Sequence, residues 1–173
     1  MLRFLMLLCV LLPAGPAWAD PVIDAAFRTA QIALERARPH LGRETFGVEV
    51  SAVRDALSDR RFSSAYWGGR LDLRVVRSST TQGACDNYAA FVGLPPENGV
   101  VTLTFCPEFF TPGTEGLRAL TVLHEIVHAV AGPDECQAMA FAARVEYLAI
   151  DHYTPVERYW RANDCARSGF SLP

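Results

Sequence analysis

The residues best suited to chemistry lie in HEIVHAVAGPDEC, residues 124–136. On a helix, positions four apart share a face one turn apart, so His124 and His128 can aim imidazole nitrogens at one metal ion. Glu125 sits about 100° further round, where it reaches a metal-bound water rather than the metal. Two ligands plus a base for the water is what zinc-dependent hydrolysis needs: zinc polarises a carbonyl and acidifies its water, and a carboxylate carries the proton. With 4 His in 173 residues, the chance expectation for HExxH is roughly 0.005 per chain. A solvent-facing histidine pair fits the context poorly. Leu120, Val122, Leu123, Ile126, Val127 and Val130 make this helix apolar nearly all round, and buried imidazoles beside a buried carboxylate need partners.

A zinc site wants a third ligand, with donors within about 4 Å of one another. An unbroken helix would carry residue 135 about 10 Å beyond His128. Gly132-Pro133 breaks it, because the residue before a proline is pushed out of the α region. A tight helical hairpin there brings residues 135–138 level with His128. Glu135 is the preferred third ligand. Asp134 is the competitor, and is also placed to cap the next helix, with Gln137 completing a capping box. Glu146 fits only an open turn, and His152 ranks behind it. Tyr147 and Tyr153 could donate to a developing oxyanion, but core packing is the favoured role for both. Phe105, Phe109 and Phe110 pack over the helix or line a substrate pocket.

The elements that must hold these groups follow from periodicity. Ile23, Phe27, Ala30 and Leu34 recur at steps of three and four, predicting a helix over 22–38 that ends at Pro39 and Gly42. A shorter helix is expected around 47–58. Leu71, Leu73 and Val75 alternate with Asp72, Arg74 and Val76, a half-buried strand. Residues 87–92 and 100–105 flank Asn98-Gly99, a strong hairpin signal. From Thr114, a candidate cap, the chain is helical to Gly132, then from about 134 to 150. Thr154-Pro155-x-Glu157 has the form of a capping box opening a last short helix.

HEIVH is the signature of the zincin superfamily of metallopeptidases, which the chain resembles at that motif. Upstream, VVTLTFCPEFF followed by a linker and the HExxH helix resembles the deuterolysin or lysine-specific (aspzincin) metalloendopeptidases, over roughly residues 85–135. The resemblance implies a secreted endopeptidase with Glu125 as general base, whose strand near 100–105 pairs with extended substrate. In that group an Asp within Gly-Thr-x-Asp-x-x-Tyr-Gly is the third ligand. Here the corresponding stretch is Gly132-Pro133-Asp134-Glu135-Cys136, so Glu135 and Asp134 both stay open.

Arg3 precedes an apolar run from Phe4 to Leu12, and Ala17-Trp18-Ala19 fits a small-x-small cleavage site. Residues 1–19 therefore read as a signal peptide, with Asp20 opening the mature chain. The run is too short to span a bilayer, so no stable membrane anchor is expected. The remaining length suits one domain, residues 20–173. Loss of Arg3 leaves the formal charge, −3 for the whole chain, one unit more negative, which gives nucleic acid no footing. Four cysteines remain, an even number without a C-x-x-C pair. They read as two disulfides rather than a thiolate metal site. The hairpin brings Cys85 and Cys106 to one end, leaving Cys136 with Cys165. The expectation is an exported α+β domain. A small antiparallel sheet packs on the HExxH helix, followed by an antiparallel helix and preceded by N-terminal helices. His124, His128 and Glu135 hold zinc, and the substrate is protein or peptide. The rival is a metal-stabilised binding domain or an inactive zincin.

Overall fold

The structure, a computed structural model, describes residues 20–173. The expected signal peptide, residues 1–19, lies outside the described residues. The elements are α1 (Pro21–Ala37), β1 (Glu44–Thr45), β2 (Val48–Glu49), α2 (Val50–Ser58), β3 (Arg61–Ser64), β4 (Gly69–Arg77), β5 (Ala90–Glu97), β6 (Val100–Phe105), α3 (Glu115–Ala131), α4 (Glu135–Ile150) and α5 (Glu157–Ala162). The class is α+β, as expected.

Helix α1 starts where Asp20 accepts hydrogen bonds from the Val22 and Ile23 amides, with Pro21 at the first position. Its apolar stripe, Ile23, Phe27, Ala30 and Leu34, is buried. Burying a large apolar side chain contributes about 1.5–3 kcal/mol. Contacts of α1 with α3 and α4 make it the back wall of the helical layer.

The main sheet has the order β3-β4-β6-β5. Asn98 and Gly99 both take positive φ, 51° and 77°, as a two-residue hairpin turn requires, and Glu97 pairs with Val100 across it. This hairpin is antiparallel, but the sheet is mixed rather than wholly antiparallel. Strand β4 runs parallel to β6, with Leu73 opposite Val101. The cause is topological. After β4 the chain crosses to the far edge, enters β5 there, and turns back between β5 and β4. Strand β6 is thus central, and its Val101, Leu103 and Phe105 are fully buried. Residues 100–105, expected to pair with substrate, have both edges occupied. Among the described residues the free edge on that side belongs to β5.

Helix α3 is buried from Leu120 to Val130 except at Thr121. Thr114 does not cap it, because its hydroxyl turns back to the Thr111 carbonyl, 2.7 Å away. Asp134 does cap α4, accepting from the Cys136 and Gln137 amides at 2.9 Å. No capping box forms there, since the Gln137 amide group donates to the Phe46 carbonyl at 2.9 Å. The box expected at 154–157 is also absent. The Thr154 hydroxyl and amide both bond to Glu146, and α5 opens after Val156.

Both expected disulfides form, Cys85–Cys106 and Cys136–Cys165. They point to an oxidising, extracellular-type environment. No helix among the described residues is long and apolar enough to cross a membrane.

Candidate metal centre

The two histidines face one way on α3, and the break after Ala131 lets α4 begin beside them. His124 Nε2 lies 3.0 Å from His128 Nε2. Glu135 Oε2 lies 3.1 Å from the first and 3.2 Å from the second. Tetrahedral zinc with bonds of about 2.0–2.1 Å holds its donors roughly 3.3 Å apart, so this triangle has nearly the right edge. The donor chemistry fits as well. His128 Nδ1 faces the Gly132 carbonyl at 2.9 Å. A carbonyl only accepts, so Nδ1 carries a proton, and whenever the ring is neutral Nε2 presents a bare lone pair. That lone pair and an ionised carboxylate oxygen converge on one point, an arrangement that a cation stabilises. His124, His128 and Glu135 thus form a group able to hold a metal ion.

Gly132 is the hinge of this arrangement. Its φ of 103° lies where side chains are strained, and a Cβ there would come within 2.5 Å of the Tyr66 ring. Ser64, on β3, donates to the Val130 carbonyl at 2.6 Å, so the β3–β4 turn holds the end of α3 from outside. Gly132→Ala is expected to cost at least about 1–3 kcal/mol from backbone strain alone. It should also weaken metal binding by turning the carbonyl that orients His128. Denaturant midpoints and metal titration of the variant check both effects. An unchanged midpoint would show that the turn tolerates a side chain.

Glu125 is buried, 7 % exposed, yet stands outside the donor triangle. It lines the same cavity of about 190 Å³ as the three donors, with Ala90, Phe91 and Val92 of β5 forming another wall. Burial pushes its carboxyl up to about 8; His128 and the Val92 amide oppose that shift, and the Glu135 charge adds to it. Burial lowers the His124 pKa, against the pull of Glu135. Burial lowers His128 too, but its bonds to Glu135 and Gly132 outweigh this and leave it raised. For Glu135 burial acts upward, and the neighbouring His124, His128 and Tyr159 together overcome it, holding the carboxylate well below its usual range.

Tyr159, on α5, is the site residue that sequence reasoning missed. Its hydroxyl donates to Glu135 Oε2 and lies 3.4 Å from His124 Nε2. Burial, then the neighbouring Glu135, hold its pKa above the usual phenol value, so it remains a hydrogen-bond donor. Tyr147 and Tyr153, expected in the core with an oxyanion role as the lesser alternative, are neither fully buried nor among the groups around the donors. Tyr153 bonds to Glu157 at 3.2 Å, and Tyr147 is exposed. A signal for Tyr159 existed in the cysteines. Cys136 follows Glu135 directly, and its bridge to Cys165 draws the segment carrying α5 toward the ligand. Asp134 is the cap, Glu146 is bound to Thr154, and His152 is exposed. None of the three joins the triangle. Phe105 and Phe109 are core. A larger cavity of about 690 Å³, between the β1–β2 ribbon and the Pro133 turn, contains none of the donors.

Fold and site together define an α+β domain with a His-His-Glu group able to hold a metal ion. No family model, curated protein or solved structure matches the chain.

Proposed function

We propose that the protein is an exported zinc-dependent peptide hydrolase of zincin type, with His124, His128 and Glu135 as ligands. The observation that carries this reading is the combination of a three-donor triangle with a buried carboxyl group, Glu125, beside it in the same cavity. A purely structural ion would leave Glu125 without a role, and a catalytic zinc keeps three protein ligands and one open position.

Zinc, when bound, supplies Lewis acidity to a substrate carbonyl and acidity to a water. Glu125, which the charge of a bound cation would keep ionised despite its burial, would accept a proton from the attacking water as the water oxygen adds to the carbonyl carbon. It then passes the proton to the amide nitrogen as the C–N bond breaks, leaving a carboxylic acid and an amine. Tyr159, releasing its hydrogen bond to Glu135 as that carboxylate turns to the metal, would donate to the carbonyl oxygen as charge develops there. The free edge of β5 borders the cavity and suits an extended peptide backbone, since unpaired strand amides and carbonyls accept another strand.

The test is metal content by mass spectrometry alongside cleavage of a reduced, unfolded protein. The expected result is about one zinc per chain, cleavage lost on chelation and restored by zinc. A protein that binds zinc but shows no metal-dependent cleavage would overturn the reading and favour a metal-stabilised binding domain.

A further inference from the structure

A second cavity, of about 500 Å³, opens directly beside the metal centre, within the roughly 300–1,000 Å³ common for ligand sites. Leu117, Leu120 and Thr121 line it from α3, one and two turns before His124 on the same helix face. Met139 lines it from α4, and Val156 and Ala162 close it from the segment that carries α5. It shares His124, Glu125 and Tyr159 with the cavity of the donor triangle, so the two adjoin. At its lining stand two of the large apolar side chains left in solvent, Leu117 at 45 % and Tyr88 at 51 % exposure. Exposed apolar surface gathered beside a polar reaction centre marks a binding surface rather than core.

The charges decide what enters. Glu125 is the one acidic group in the lining, and it belongs to the reaction centre. Arg158 is a basic residue of the lining, and it sits on the exposed face of α5. A pocket for lysine or arginine would need a carboxylate along its wall, and Arg158 repels such a guest instead. From this we infer that the cavity is the specificity pocket, receiving a bulky apolar side chain (Phe, Leu, Tyr or Met) of the residue next to the bond that is cut. The inference deepens the peptidase reading and rests on it for turnover, but not for binding.

Two measurements separate the two claims. In the first, the zinc-loaded Glu125→Gln protein is titrated with N-acetylphenylalanine amide and with N-acetylalanine amide, and amide chemical shifts are followed. Saturable shifts at Leu117, Thr121 and Ala162 with the phenylalanine probe, at least about tenfold tighter than with alanine, are expected. Equal responses, or none at these positions, would overturn the pocket whatever the cleavage result. In the second, cut sites in an unfolded protein are mapped by mass spectrometry. Cuts beside Phe, Leu, Tyr or Met should exceed those beside Ala or Gly at least about tenfold, and cuts beside Lys should be rare. Ala162→Trp, which fills an exposed wall, should remove both the probe's shifts and the preference. Thr121→Phe tests the opposite wall, and is decisive if Ala162→Trp does not fold. Probe binding without cleavage keeps the pocket and rejects the peptidase. Cleavage concentrated beside Lys rejects the pocket and keeps the peptidase.

Discussion

Glu125→Gln is expected to reduce peptide-bond cleavage by about 100- to 10,000-fold, the usual contribution of a positioned general base, while zinc content stays at the wild-type level. The substitution keeps the side chain's size and removes only its ability to take a proton. Because Glu125 lies outside the His124–His128–Glu135 triangle, the metal loses no ligand. Stability should not fall greatly either, since the wild-type carboxylate is itself costly to bury, as its pKa near 8 records. The measurement is kcat/KM on an unfolded protein substrate together with metal content and a denaturation midpoint for both proteins. A Gln variant that keeps its zinc and cleaves as fast as wild type would remove Glu125 from the mechanism. A variant that loses zinc would place Glu125 among the groups holding the ion.

What the sequence makes legible here is what local rules govern. The i, i+4 histidines, the Gly132-Pro133 break and the Asp134 cap each depend on a few neighbouring residues, and all three stand where spacing puts them. Asn98-Gly99 specifies its hairpin because both positions need positive φ, and that hairpin sets the Cys85–Cys106 pairing. The failures are non-local. Whether 90–97 or 100–105 forms the free edge depends on where the chain re-enters the sheet after β4, and no period in the sequence reports it. Thr154 has the right neighbour for a capping box, but Glu146, eight residues earlier, takes both of its donors. Tyr159 is 24 residues from Glu135 and reaches it only because the second disulfide and the packing of α5 bring it there.

Glu135→Ala and Asp134→Ala should separate the two acids that the sequence left in competition. Removal of groups that merely orient a zinc ligand weakens binding by about 10- to 100-fold, and Glu135 is placed as a direct donor, 3.1 and 3.2 Å from the two imidazoles. Its loss is therefore expected to lower zinc affinity by more than about 100-fold, with little effect on the helix it opens. Asp134→Ala removes the cap that accepts from the Cys136 and Gln137 amides, so it should cost about 1 kcal/mol of stability and leave zinc affinity within about tenfold. Competition with a calibrated chelator gives the affinities, and urea midpoints give the stabilities. Acidity supplies an internal check. The ligands must bind as neutral imidazole and carboxylate, so zinc competes with protons. His128 holds its proton more tightly than an ordinary histidine, so affinity should be greatest above its raised pKa and fall as the pH drops through it. In Asp134→Ala that pH dependence should persist. Full zinc occupancy in Glu135→Ala together with loss in Asp134→Ala would reverse the assignment.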